Sequence, residues 1–165
     1  MKVRLVVSGL PGMYGEARAL LPRRDAMRVV LAAGLALVLA PVRASGRPRT
    51  QNALRHFAWS AWLAASYGAE VAKAVTAEHE RHSLDPLDSE CDLRNNKAGR
   101  RYGRLHVAEI VDLPTPVAVW RLLGIGRRKW RSGRLWAVRH GWVEPSHSRR
   151  VGGAADAGGS PGSAG

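Results

Sequence analysis

Gln51–Gly103, QNALRHFAWSAWLAASYGAEVAKAVTAEHERHSLDPLDSECDLRNNKAGRRYG, sets His, Glu, Asp and paired Asn residues inside otherwise apolar helical patterns. Ala53, Leu54, Phe57, Ala58, Ala61, Trp62 and Ala65 recur at helical spacing, which predicts a largely buried helix capped by Thr50 and stopped after Tyr67 by Gly68. A second helix, from about Ala69 to His79, shows Val71, Ala72 and Val75 as its apolar face. Across Gly68 the two form an αα-hairpin. His82 to Asp88 is a loop punctuated by Asp85-Pro86, after which Ser89 with Asp92 makes a capping-box pattern for a third helix ended by Gly103.

The flanks complete an all-α expectation: a small helical domain built on the hairpin and this third helix. Residues 104–123 read as a further helix broken at Pro114 and Pro116, and GRLWAVRHGW, Gly133 to Trp142, as a short C-terminal strand or final helical turn. The domain is expected over 51–145, after a polar Arg/Pro linker at 45–50. Residues 146–165, rich in Gly, Ala and Ser, have nothing to bury and are expected to be a disordered tail.

Residues 1–44 read as leader and signal peptide. VVLAAGLALVLA, Val29 to Ala40, is an apolar run behind Arg28, closed by Pro41 and by Val42-Arg43-Ala44, whose small residues suit cleavage after Ala44. The run is short of the ~20 residues that span a bilayer, so no stable membrane span is expected after processing. Met27 offers an alternative start, and Arg23-Arg24 an alternative, twin-arginine, export route. The product is expected to be secreted or held in the cell envelope.

Charge divides the chain. Ser45 to Leu93 holds five Lys/Arg against seven Asp/Glu, whereas Arg94 to Arg150 holds fourteen against three. A basic half of this kind suits an anionic envelope polymer or nucleic acid, although solvated arginine faces are also common. Cys91 stands alone, so intramolecular disulfides are excluded, and its acidic neighbours Glu90 and Asp92 make it a packing residue, not a nucleophile.

Asp92, Asn95, Asn96 and Gly99 fall at i, i+3, i+4 and i+7, one stripe of polar side chains with a glycine above it where a second backbone can approach. Asn52 and His56 share a stripe of the first helix, with Arg55 beside them, and His79-Glu80 closes the second. His79-Glu80-Arg81-His82 is not the zinc-protease H-E-x-x-H, and the chain has no P-loop and no G-x-S-x-G elbow. No local pattern marks Ser60, Ser66, Ser83 or Ser89 as a nucleophile. His56, His79, Asp88 and Asp92 supply N and O donors suited to a divalent metal, and such groups also satisfy one another in cores.

Asn52-Ala53-x-Arg55-His56-x-x-Trp59, Gly68-Ala69-Glu70-x-Ala72-Lys73, His79-Glu80 and Asp88-Ser89-x-x-Asp92-Leu93-x-Asn95-Asn96-x-x-Gly99-Arg100 together resemble an uncharacterised bacterial domain family. That family occurs in secreted proteins, phage proteins and the C-terminal modules of large toxin-like proteins. The resemblance covers about residues 50–103 and implies a small α-helical domain whose signature polar residues gather. By matching positions it nominates Asn52, Arg55, His56, His79, Glu80, Asp88, Asp92, Asn95, Asn96 and Arg100, with no established reaction attached.

Two classes of function fit. In the first, an exported hydrolase acts on an envelope or foreign polymer. His56 or His79 is its general base or metal ligand, Glu80 or Asp92 orients that group, and Asn52, Arg55, Asp88, Asn95, Asn96 and Arg100 hold substrate, water or one another. In the second, the same network is a core device and the arginine face of a non-catalytic module binds an anionic polymer. Under the export reading, N-terminal sequencing of exported material is expected to find a chain beginning near Ser45. Exported protein with Met1 or Met27 intact would overturn it.

Overall fold

The computed structural model describes residues 10–81 and 85–147. Among these, seven helices and one hairpin follow in order: α1 Leu10–Leu20, α2 Arg23–Arg43, α3 Pro48–Tyr67, α4 Ala69–Glu80, α5 Pro86–Leu105, α6 Val107–Val111, α7 Thr115–Arg131, β1 Trp136–Arg139 and β2 Trp142–Pro145. The fold is mainly α, as the periodicity indicates. Expected residues 148–165 of the tail lie outside the described part.

α3 is the central element. Its most extensive packing is against α5, followed by α7 and α2. It is buried on nearly every side, with Ala53, Leu54 and the continuous run from His56 to Ala65 out of solvent. A helix apolar all round has to sit inside a bundle.

Two helices begin earlier than their polar residues suggest. α3 starts at Pro48 with Arg47 before it, so Thr50 is a buried residue of the first turn and not a cap. α5 starts at Pro86, capped by Asp85, whose Oδ1 accepts from Leu87 N at 2.9 Å and Asp88 N at 3.4 Å. In both, the fixed φ of proline favours the first helical position, where its missing N–H costs nothing. Ser89 is therefore interior. Pro116 likewise lies in the opening turn of α7, so the expected break is a helix start and α7 continues to Arg131.

Gly103 does not end α5, which runs to Leu105. Gly99 and Gly103 face α3 instead. A Cβ at Gly99 would lie 2.9 Å from Ser60 Cβ and 3.1 Å from Ala61 N, and one at Gly103 would lie 2.9 Å from the Ala61 carbonyl carbon. Only glycine lets the two backbones meet so closely.

The expected leader folds onto the domain in the full chain. Ala26, Val29, Ala32, Ala36 and Ala40 form the buried side of α2, which packs on α3 and α7, while α1 packs on α4. Tyr67 Oη donates to Asp25 Oδ1 at 3.1 Å, and the Arg43 guanidinium lies 3.7 Å from the Trp120 ring centre. Pro41 does not break α2, which ends two residues later. By length and composition this helix suffices to cross a membrane.

β1 and β2 pair antiparallel from Trp136↔Pro145 to Arg139↔Trp142. The two-residue loop has positive φ at both His140 (52°) and Gly141 (81°), the backbone of the type I′ turn that matches strand twist. The ordered fold continues past 145: Ser146 is fully buried and donates to Trp130 O at 2.6 Å, which corrects the start of the expected tail.

The backbone contact at Gly103 gives the first stability test. Gly103→Ala is expected to cost at least ~2 kcal/mol, because backbone on both sides leaves the methyl nowhere to go. Gly124→Ala, whose Cβ would meet only the Arg43 side chain at 3.6 Å or beyond, is expected to be neutral or stabilising by up to ~1 kcal/mol. Urea melts of both variants decide, and a neutral Gly103→Ala would contradict the packing described.

Candidate functional site

His56 lies at the middle of α3, 1% exposed, with a carboxylate on each side of its ring. Nδ1 is 3.4 Å from Glu80 Oε1, and Nε2 is 3.3 Å from Asp92 Oδ2. Glu80 comes from the last turn of α4 and Asp92 from the second turn of α5, so three helices meet at this imidazole.

Neighbours on α3 brace the Asp92 side. Asn52 Nδ2 donates to Asp92 Oδ1 at 2.5 Å, and Arg55 Nη2 donates to Asn52 Oδ1 at 2.6 Å. The same Arg55 nitrogen is 2.9 Å from His56 Nε2. A guanidinium only donates, so Nε2 is the acceptor there and the His56 proton sits on Nδ1, facing Glu80.

His79 completes the Glu80 side. Its ring lies 5.9 Å from that of His56 and edge-on to Trp59 at 5.6 Å. Donor atoms of His56, His79 and Glu80 all fall within 4.8 Å of one another. Asn96, fully buried, has its Oδ1 held by Ser60 Oγ at 2.8 Å and its amide end beside His56 and Glu80. His56 Nδ1, Glu80 Oε1 and Asn96 Nδ2 are all buried without a hydrogen bond of normal geometry. Each such atom costs about 1–3 kcal/mol.

The nominated residues thus separate. Asn52, Arg55, His56, His79, Glu80, Asp92 and Asn96 surround one centre. Asp88 is half buried one turn before Asp92, close enough to raise its proton affinity but outside the three-residue donor group. Asp92 itself faces the other ring nitrogen of His56, so of the residues named as possible metal ligands His56 and His79 gather, joined by Glu80, while Asp88 and Asp92 stand outside that donor group.

Asn95 and Arg100 serve elsewhere. Asn95 Oδ1 accepts from Trp136 N at 2.9 Å and its Nδ2 donates to Trp136 O at 3.0 Å. It thereby imitates a strand partner and pins the hairpin to α5. Arg100 Nη1 donates to Thr76 Oγ1 at 3.3 Å, tying α5 to α4. Ser60 and Trp59 are site residues that residue type alone does not mark; the signals are that Ser60 stands one turn beyond His56 and that Trp59 ends the motif begun by Asn52. Cys91 is buried, its thiol pushed up to about 12 by burial and by Asp92 and Asp88.

Electrostatics follow from burial with too few cations. Burial, with Arg55 and His79 close by, holds His56 well below the usual imidazole range, so it is neutral. Burial and then Glu80 push Asp92 well above the usual carboxylate range, and burial pushes Glu80 up to about 7 against the pull of Arg55 and Asn96. One guanidinium serves two carboxylates, so the centre retains a proton that such groups would lose in water.

Residues 41–110 match the model of a protein family described as Domain of unknown function (DUF6973). The matched stretch covers less than half of the chain and includes every residue gathered around His56. No curated protein and no solved structure matches.

Glu80 sets a pH signature. Its proton is held more tightly in the folded chain than in the unfolded one, so the stability it contributes is complete below about pH 4.5 and lost as pH rises to about 7. Across that window the stability of Glu80→Gln, which cannot titrate, is expected to rise relative to the unsubstituted protein by up to ~3 kcal/mol. Denaturant melts in chelator-containing buffers measure this. A difference independent of pH would mean that Glu80 ionises as an ordinary surface carboxylate.

Proposed function

We propose that the domain is a hydrolase whose water-activating centre lies where His56 Nδ1, the Glu80 carboxylate, His79 and Asn96 Nδ2 come together. The observation that carries this reading is the placement of His56 Nδ1, Glu80 Oε1 and Asn96 Nδ2 around one point, all three buried and none in a hydrogen bond of normal geometry. A core network exists to satisfy its members, and a half-satisfied one costs stability. Groups left open toward a common point make sense when a reacting water or substrate atom completes them. Asp92, Asn52 and Arg55 then act from behind, fixing the ring of His56.

An anionic polymer is the substrate class that the surroundings favour. Lys129 is drawn below the usual ammonium range by burial and by the nearby cations Arg134 and Arg101, so three basic side chains stand close together. A polyanion relieves such crowding and binds with strong salt dependence. The same patch supports the second reading, a binding module without chemistry.

The cell envelope is the proposed place of action. α2 supports it, being apolar on its outer side as well: Met27, Leu31, Val38 and Val42 are 52–69% exposed. Contiguous exposed residues of this size are what membranes or export machinery engage.

The test is a panel of chromogenic phosphodiesters, carboxylesters, glycosides and peptides with the purified chain and divalent cations present. Cleavage of one bond class is expected, with Glu80→Gln and His56→Ala each slower by about 10²-fold or more and Arg134→Ala binding the polyanion more weakly, mainly at low salt. Polyanion binding that survives both substitutions, with no bond cut, would establish the binding module and refute the hydrolase.

A further inference from the structure

The separation of His56 Nδ1 and Glu80 Oε1, 3.4 Å, is long for a hydrogen bond between groups that could easily close on each other. It has the dimension of a different structure. Metal–ligand bonds of about 2.0–2.1 Å at tetrahedral angles place neighbouring N and O ligands about 3.4 Å apart. One donor atom each of His56, His79 and Glu80 lie within 4.8 Å of one another, and His56 Nδ1 and Glu80 Oε1 are both buried without a hydrogen bond of normal geometry.

We propose that His56 Nδ1, the His79 imidazole and the Glu80 carboxylate hold one divalent first-row cation, zinc fitting best, with a remaining position for water. The proposal deepens the hydrolase reading and rests on it for the purpose of the site, while cation binding stands or falls by itself. Two imidazoles and one carboxylate with an open fourth position are the donor set of catalytic zinc, borderline between the hard oxygen sites of magnesium and the thiolate sites of softer ions.

The surroundings fit a metal-bound imidazole. Its second nitrogen ordinarily donates to a carboxylate, which orients the ring and raises its basicity, and Asp92 Oδ2 stands 3.3 Å from His56 Nε2. A cation on Nδ1 moves the ring proton to Nε2. Arg55 Nη2 then gives up its 2.9 Å contact with Nε2 and keeps its acceptor Asn52 Oδ1 at 2.6 Å. Arg55 opposes loading and Asp92 favours it.

The full chain, stripped with chelator and dialysed, is titrated with zinc chloride, with bound metal counted by elemental analysis and affinity read calorimetrically. One ion per chain and a raised melting temperature are expected. His79→Ala and Glu80→Gln should each bind at least tenfold more weakly, and Asp92→Asn about 10–100-fold more weakly with stoichiometry retained. Cobalt(II) in the unsubstituted chain should give the intense visible bands of a four-coordinate ion. No stoichiometric zinc, a weak six-coordinate cobalt spectrum, or unchanged affinity in folded His79→Ala would each overturn the site. Should a variant fail to fold by circular dichroism, the zinc count and cobalt spectrum of the unsubstituted chain still decide. Hydrolysis that persists in chelator without bound zinc refutes the metal and leaves the hydrolase; zinc bound as expected with no bond cleaved supports the metal and refutes the hydrolase.

Discussion

Everything at the centre depends on α5 touching α3 backbone to backbone at Gly99 and Gly103. Numbers rise together along the shared face, Asp92 against Asn52 and His56, Asn96 against Ser60, Gly103 against Ala61, so the two helices run alongside in the same direction. α4 makes this geometry available by carrying the chain back between them. It also delivers His79 and Glu80 at its far end, the end that returns to the His56 level. The glycines therefore set the reach of side chains a turn or two away: had α5 stood off by the width of a methyl group, the 3.3 Å contact of Asp92 with His56 would be lost.

Close packing has an electrostatic consequence. Two carboxylates and an imidazole are enclosed with a single guanidinium, in surroundings where ionisation is costly. The centre answers by holding protons, Glu80 up to about 7 and Asp92 above its usual range, and by keeping His56 neutral. A core selected for stability alone would replace such a cluster with apolar residues at little cost. Its presence, with atoms left open toward one another, argues for a task outside folding.

Local spacing showed part of this. The stripe Asp92, Asn96, Gly99 could be read from helical periodicity, and so could the shared face of Asn52 and His56, because both signals lie within one helix. The division of labour between Asn95 and Asn96 could not. Neighbours in sequence with the same side chain, they differ only in that one faces His56 and the other Trp136, 41 residues on. Helix starts differ from the pattern where Thr50 and Ser89 offer polar caps and a nearby proline opens the helix instead. The run Val29–Ala40 is ambiguous for a different reason: an all-apolar helix carries no periodicity to say which side is covered, and Val29, Ala32, Ala36 and Ala40 turn out to be buried while Leu31 and Val38 face out.

The family match and the structure divide the molecule in the same way. Residues 41–110 hold α3, α4, α5 and all but the last residue of α6, and with them every group around His56. α1, nearly all of α2, α7 and the hairpin lie beyond the match, yet they cover the outward sides of those helices. Lys129 and Arg134 belong to the outer layer, and Arg101 to the inner one. The basic patch is thus assembled across the boundary, whereas the centre is not. Under the proposed function, chemistry belongs to the inner helices, and the choice of polymer, along with any attachment through the outer face of α2, belongs to what is laid over them.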